Sequence, residues 1–93
     1  MIASFKDKVS EAVAQGALPK GFPANLLRSA QRKLFMIEHA LELRDLASPP
    51  GNRLEALKGN RAGQHSIRIN EQWRICFVWK DDGAYEVEIT DYH

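Results

Sequence analysis

The chain lacks the features that define several special classes of protein. Its single cysteine, Cys76, excludes a scaffold held by disulfides within the chain. No uncharged apolar run approaches the ~20 residues that a membrane-spanning helix needs. Charges from Lys6 onward leave no apolar stretch long enough for a signal peptide. One cysteine and three scattered histidines offer no metal-ligand cluster. We therefore expect a cytoplasmic protein with no cofactor and no membrane contact.

The charge is unevenly distributed, although the net charge is only +1. Residues 51–80 carry six Lys or Arg against two Glu, whereas residues 81–93 carry five Asp or Glu and no Lys or Arg. A basic middle beside an acidic end can hold a polyanion in one place, but ordinary solvated charge explains the same pattern. The 93 residues suit one domain, which we place over residues 1–93.

The first half of the chain predicts two helices. Residues 6–15 read as a short helix that ends at Gly16. Pro23 suits the first turn of a second helix, which we expect to run to about Leu46, before the Pro- and Gly-rich residues 48–52. Helical spacing places one apolar stripe on this helix: Leu26, Ala30, Leu34, Ile37 and Leu41.

After residue 52 the apolar period changes from helical to alternating. Three strands are predicted from the apolar sets His65/Ile67/Ile69, Trp73/Ile75/Phe77/Trp79 and Tyr85/Val87/Ile89. A shorter strand is expected around Arg53 to Leu57, and Ile2 to Phe5 form either a first strand or a lead-in. The sequence therefore predicts an α+β fold, with two N-terminal helices packed on a twisted antiparallel β-sheet.

Strand parity predicts which polar residues lie side by side. The simplest hairpins pair Arg68 with Arg74, and Lys80 with Ala84, unless a β-bulge shifts the register. Two rows then cross the face away from the core, Arg68–Arg74–Thr90 and Ser66–Cys76–Glu88. By the same parity Tyr92 lies near Arg74 at the end of that face.

Two adjacent arginines repel each other unless an anion lies between them. Glu88, a carboxylate of a partner protein, or a phosphate could fill that role. Guanidinium groups match phosphate oxygens well, and the glycine-containing loop 57–63 adds Lys58 and Arg61 as further candidates for RNA or phosphate binding. Either of these loop cations, taken alone, is more often simply solvated.

Three other residues could transfer protons. Terminal His93 can titrate near neutrality, the Tyr92 phenol can give a proton or stack on a base, and Glu55 adds a carboxylate. Cleavage of RNA by its own 2′-OH needs such a base and acid, together with cations that stabilise the phosphoryl charge. We interpret His39, inside the long helix, and His65, on an apolar face, as packing residues.

The sequence resembles the HigB toxins, the host-inhibition-of-growth branch of the RelE superfamily of type II toxin–antitoxin systems. The resemblance spans nearly the whole chain and lies chiefly in residues 49–59 (PPGNRLEALKG), 61–63 (RAG), 66–70 (SIRIN), 72–75 (QWRI) and 91–93 (DYH). It implies a RelE-like, microbial-ribonuclease-like α+β fold. It also implies metal-independent mRNA cleavage in the A site of the small ribosomal subunit, which inhibits translation. The implied partner is a HigA-type helix-turn-helix antitoxin, through which alone operator DNA would be contacted.

By position, the resemblance implies that Lys58, Arg68 and Arg74 bind and neutralise phosphate. Asp91, Tyr92 and His93 would form the C-terminal catalytic group. Some HigB toxins have His where this chain has Glu55. Here the order Glu-x-Leu-Lys is instead similar to the YoeB toxins, in which that Glu is the favoured general base. Either Glu55 or His93 can therefore be the base.

Two other functions remain open. The ParE branch shares this fold but inhibits DNA gyrase, although Arg74 and the terminal Tyr92-His93 argue against that role. Alternatively, the protein acts mainly as an antitoxin partner in an operator-binding repressor, with little nuclease activity.

Overall fold

The computed structural model describes residues 1–91; Tyr92 and His93 lie outside this range. Its two α-helices are α1, Lys8–Ala14, and α2, Leu27–His39. Its strands are β1, Glu55–Ala56, β2, His65–Arg68, β3, Arg74–Lys80, and β4, Gly83–Thr90. They form one antiparallel sheet in the order β1-β2-β3-β4, which confirms the predicted α+β class. Within residues 1–91, neither helix is long and apolar enough to cross a bilayer.

The second helix ends earlier than predicted. After His39 the backbone becomes extended at Ala40 (ψ 132°), and a separate 3₁₀ helix, Leu43–Ala47, follows. The side chains of Glu42 and Asp45 form a capping box that starts this new helix, which gives the backbone an alternative to continuing α2. Leu41 is consequently 88% exposed and does not extend the apolar stripe.

The core lies between the two helices and one face of the sheet. The first four residues of the predicted stripe, from Leu26 to Ile37, are buried as expected. The main cluster combines helical and sheet side chains: Val13, Ala30, Leu34, Ile37, Leu46, Ile67, Ile75, Phe77, Ala84, Val87 and Ile89. Burial of this apolar face fixes which strand residues point away from the helices.

The β3–β4 hairpin contains a bulge that changes the predicted register. The turn is tighter than predicted, because Lys80 pairs with Gly83 and not with Ala84. One extra residue in β4 opposite Phe77 then restores the predicted pairs Cys76–Glu88 and Arg74–Thr90. Glu86 adopts φ 53° at this bulge, and its N–H donates to Ser4 Oγ (2.9 Å).

Because of the bulge, Tyr85 lies on the face of the sheet opposite to the predicted one. Ahead of the bulge, Ala84 points into the core, and Tyr85 pairs with Val78 on the opposite face. There the Tyr85 ring lies under Lys80 Nζ, 4.6 Å from the ring centroid. Its hydroxyl donates to Asp82, and this hydrogen bond raises the pKa of Tyr85 above its usual value.

The N-terminal residues lie along the outer edge of β4. Ile2 and Phe5 form isolated parallel bridges to Ala84 and Val87, so this segment is neither a regular strand nor a free lead-in. The Met1 carbonyl accepts from Ala84 N (2.8 Å) and passes so close to Gly83 that a Cβ there would lie 2.3 Å from it. Glycine at position 83 therefore allows the N-terminal segment to lie against the edge of β4.

Candidate active site

Arg74, the first residue of β3, is held by neutral oxygens on two sides. Its Nε donates to Ser66 Oγ and its Nη2 to the Arg53 carbonyl, each at 2.8 Å. Ser66 is fully buried on the neighbouring strand, and the Arg74 side chain is only 16% exposed. Two separate contacts fix the plane of the guanidinium, which a single contact would leave free to rotate.

Glu55 lies beside this guanidinium. Its Oε1 is 3.4 Å from Arg74 Nη2, and its side chain is 55% exposed on the short edge strand β1. The two residues line an open cleft of about 300 Å³ together with Arg53 and Leu54. The cleft therefore presents an ordered cation and a carboxylate to solvent, the groups needed to bind a phosphate and to accept a proton.

The backbone at Arg53 contributes to this site through an unusual conformation. Arg53 follows a 3₁₀ turn, Pro50–Asn52, and adopts the left-handed region with φ 46° and ψ 54°. This conformation costs an L-residue roughly 1–2 kcal/mol. In this conformation, the Arg53 carbonyl accepts a hydrogen bond from Arg74 Nη2.

Arg68 and Asp91 flank the same end of the sheet. Arg68 pairs with Arg74 as predicted, and Arg68 Nε donates to the Asn70 carbonyl (3.0 Å). Its Nη2 lies 4.0 Å from a carboxylate oxygen of exposed Glu71. Asp91 Oδ2 accepts from Gln72 in the same β2–β3 turn (3.1 Å). The two arginines are thus countered by different carboxylates, Glu55 and Glu71, and not by Glu88.

Glu88 belongs to a second charged cluster above Cys76. It contacts Arg61 at 3.1 Å and Lys6 at 3.6 Å. The thiol beneath is fully buried, and burial raises its pKa to about 11, with a smaller contribution from Glu88. Arg61, a predicted phosphate-binding residue, therefore directs its guanidinium to a carboxylate of its own chain. Lys58 is exposed at the start of the adjacent turn, Gly59–Arg61.

The histidines have different environments. His65 lies beside Phe77 with the two rings stacked (centroids 6.5 Å apart), as its predicted packing role requires. Its Nδ1 is buried and has no hydrogen-bond partner within residues 1–91. His39 lies in α2 as predicted, but it is the exposed last residue of the helix and contacts exposed Phe35 (4.1 Å between centroids), so its predicted role as a packing residue inside the helix is wrong. Predicted catalytic residues Tyr92 and His93 lie outside the described residues.

Sequence reasoning missed two groups that hold Arg74. Strand parity placed Ser66 one row away from Arg74, and the long Arg side chain spans that distance. Burial of a serine on a polar face was the missing information, and it depends on the tertiary structure. The Arg53 carbonyl carried no sequence signal, because any residue supplies a carbonyl.

Comparisons with known proteins agree on one family. The family model described as "RelE-like toxin of type II toxin-antitoxin system HigB" matches residues 3–93. The chain is 38% identical over 85 residues to "Toxin HigB-1" of Vibrio cholerae serotype O1, covering 90% of each protein. It is 33% identical over 93 residues to "Endoribonuclease HigB" of Proteus vulgaris, covering 100% of each.

Proposed function

Because this chain belongs to the HigB family of RelE-like toxins of type II toxin–antitoxin systems, we propose that it cleaves mRNA in the ribosomal A site. It is the toxin of such a pair, and its Proteus vulgaris relative bears the name of an endoribonuclease. The observation that carries the proposal is the guanidinium of Arg74, held by Ser66 and the Arg53 carbonyl beside Glu55. An mRNA target places this action in the cytoplasm.

Arg74 stabilises the extra negative charge that the phosphoryl group acquires when the 2′-OH attacks it. A donor that is already oriented needs no reorganisation during the reaction, which makes it more effective than a mobile cation. Arg68, in the neighbouring position on β2, and exposed Lys58 bind flanking phosphates. Arg61 is less available to bind a phosphate, because its guanidinium lies 3.1 Å from the Glu88 carboxylate.

Glu55 is our candidate for the general base. Its carboxylate lies on the open side of the cleft, 3.4 Å from the guanidinium that would hold the phosphate. A 2′-OH adjacent to a phosphate bound by Arg74 would thus come within reach of it. His93 or Tyr92 would then give the leaving 5′-oxygen its proton, and Asp91 would assist this C-terminal group. The roles of Glu55 and His93 are reversed if the terminal imidazole is the base.

The proposed mode of control is binding to a HigA-type antitoxin with a helix-turn-helix domain. The antitoxin would supply the contacts to operator DNA. The expectation rests on membership of a type II family, which implies an antitoxin partner.

Mapping of mRNA 5′ ends after brief expression tests the function. We expect new ends on translated messages, at positions that follow the reading frame. Arg74→Ala and deletion of His93 should each abolish these ends and the growth arrest, while both proteins remain folded and antitoxin-bound. The surface variant Arg44→Ala is the control, since this side chain is 82% exposed and pairs with Glu42.

Three results would contradict the proposal. Toxicity that survives both active-site changes would exclude the assigned residues. Growth arrest without new mRNA ends, together with inhibited supercoiling by purified gyrase, would favour a gyrase inhibitor. Operator repression by the complex without toxicity of the free protein would favour a corepressor.

A further inference from the structure

Asn52, immediately before Arg53, is fully buried, and both the nitrogen and the oxygen of its side-chain amide form hydrogen bonds. Its Nδ2 donates to the Leu46 carbonyl (3.1 Å), and its Oδ1 accepts from Lys33 Nζ. Lys33 reaches this position from α2 and is only 7% exposed. The helix is thus joined by a buried side-chain contact to the turn that precedes the cleft.

Lys33 is an unfavourable choice for a core position. Within residues 1–91, no carboxylate lies within ion-pair distance of its ammonium, whose hydrogen-bond partner is the neutral Asn52 amide. Burial lowers the pKa of Lys33, and Arg32 adds to the effect. An apolar side chain of similar volume at such a site is often neutral or stabilising. Core stability alone therefore gives no reason for an amine here.

The pair is placed to control the backbone at the cleft. Backbone hydrogen bonds from Asn52 to Pro49 (3.0 Å) and from Arg53 to Pro50 (3.1 Å) form the turn. The next carbonyl, that of Arg53, accepts from Arg74. The left-handed conformation of Arg53 persists only where its surroundings hold it. The buried amide of Asn52, one residue away, provides such an anchor.

We propose that Lys33 and Asn52 are positioning residues for Arg74, acting through the backbone of Arg53. The pair keeps the Arg53 carbonyl in contact with Arg74 Nη2 and so keeps the guanidinium oriented toward the cleft. Neither side chain touches the substrate. The catalytic part of this inference rests on the proposed ribonuclease function, whereas the structural part concerns only the orientation of Arg74.

Lys33→Met removes the ammonium and keeps an unbranched side chain, so it tests the pair with little change in volume. Small misplacements of a catalytic group can lower the reaction rate by up to about 100-fold. We therefore expect kcat for mRNA cleavage on purified ribosomes to fall roughly 10- to 100-fold. KM should change less than about threefold, since phosphate binding through Arg68 and Lys58 is retained. Asn52→Leu, which removes both the acceptor for Lys33 Nζ and the donor to the Leu46 carbonyl, should lower kcat at least as much as Lys33→Met.

An NMR measurement tests the positioning independently of activity. In 15N-labelled protein, the Nε–Hε resonance of Arg74 should shift and exchange faster in Lys33→Met. The corresponding resonance of Arg68, whose Nε donates to the Asn70 carbonyl, should not change. Val13→Ala, in the core on α1, is a destabilised control in which both resonances and kcat should match wild type below the melting temperature.

The outcomes separate this inference from the proposed function. An unchanged Arg74 resonance in Lys33→Met, or an equal change in Val13→Ala, overturns the positioning role. If the Arg74 resonance changes as expected but the wild-type protein cleaves no RNA, the positioning role stands and the ribonuclease function fails.

Discussion

Replacement of Arg74 by lysine tests whether the site needs an oriented guanidinium or merely a positive charge. The change keeps one cation on β3 and removes the planar fork. In the native protein, that fork donates to Ser66 and to the Arg53 carbonyl, at 2.8 Å each, from different nitrogens. A lysine ammonium is a single point and cannot occupy both positions.

The structure sets the size of the expected effects. Removing one oriented donor from a transition-state site costs about 10²- to 10³-fold in rate, or roughly 3–4 kcal/mol. We expect this loss in kcat for Arg74→Lys. The two hydrogen bonds of Arg74, one partly buried and one exposed, contribute about 1–2 kcal/mol together to folding. For a domain of this size each kcal/mol corresponds to roughly 4–8 °C in Tm, so the variant should melt earlier but remain folded at 25 °C.

Single-turnover cleavage of an mRNA bound to purified ribosomes measures the rate, and thermal unfolding measures stability. Arg44→Lys is the matched control, because it makes the same exchange at an exposed side chain that pairs with Glu42, and it should change neither quantity. A kcat for Arg74→Lys within about threefold of wild type would refute the argument, because charge alone would then be sufficient.

Two further predictions concern stability. Burial raises the pKa of Cys76 from 9.0 to about 11, so the folded protein retains a proton that the unfolded thiol loses. The stability gained from this retention is complete below pH 9 and lost as pH rises through 11. The unfolding free energy of wild type, relative to Cys76→Ala, should therefore fall by about 2–3 kcal/mol across this range; a rise would contradict the assignment. Asp7→Ala removes the cap that accepts from Ser10 N (2.7 Å) and should cost about 1 kcal/mol in denaturant unfolding, whereas a similar loss in neighbouring Lys8→Ala would argue against capping.

Periodicity was sufficient to predict most of the fold. The alternating apolar residues placed β2, β3 and β4, and the helical stripe identified the buried face of α2 up to Ile37. The end of α2 was mispredicted because Leu41 continues the helical spacing, while the Glu42–Asp45 capping box favours a new turn. Hydrophobic spacing does not report such local competition between side chain and backbone.

The sequence was sufficient to predict which residues form the site, but not most of the contacts between them. Parity correctly placed Arg68 beside Arg74, because one face of the sheet is buried. The contact of Arg74 with Glu55 depends on how edge strand β1 lies relative to β3, two strands away. The left-handed backbone of Arg53 is equally hidden in the sequence, since glycine or asparagine is the usual residue in that conformation.

The tight β3–β4 turn and the bulge at Glu86 have a consequence for insertions and deletions in this hairpin. Relative to the predicted hairpin, the tight turn and the bulge each shift the pairing of β4 with β3 by one residue, and the two shifts cancel before Glu88. Deleting Glu86 alone would remove the bulge and leave Val87 opposite Phe77, so Glu88, Ile89 and Thr90 would keep their present partners and faces. The bulge therefore lets this hairpin lose one residue ahead of Val87 without reversing the faces of Glu88 and Thr90, so the row that contains Arg74 does not depend on the exact length of β4.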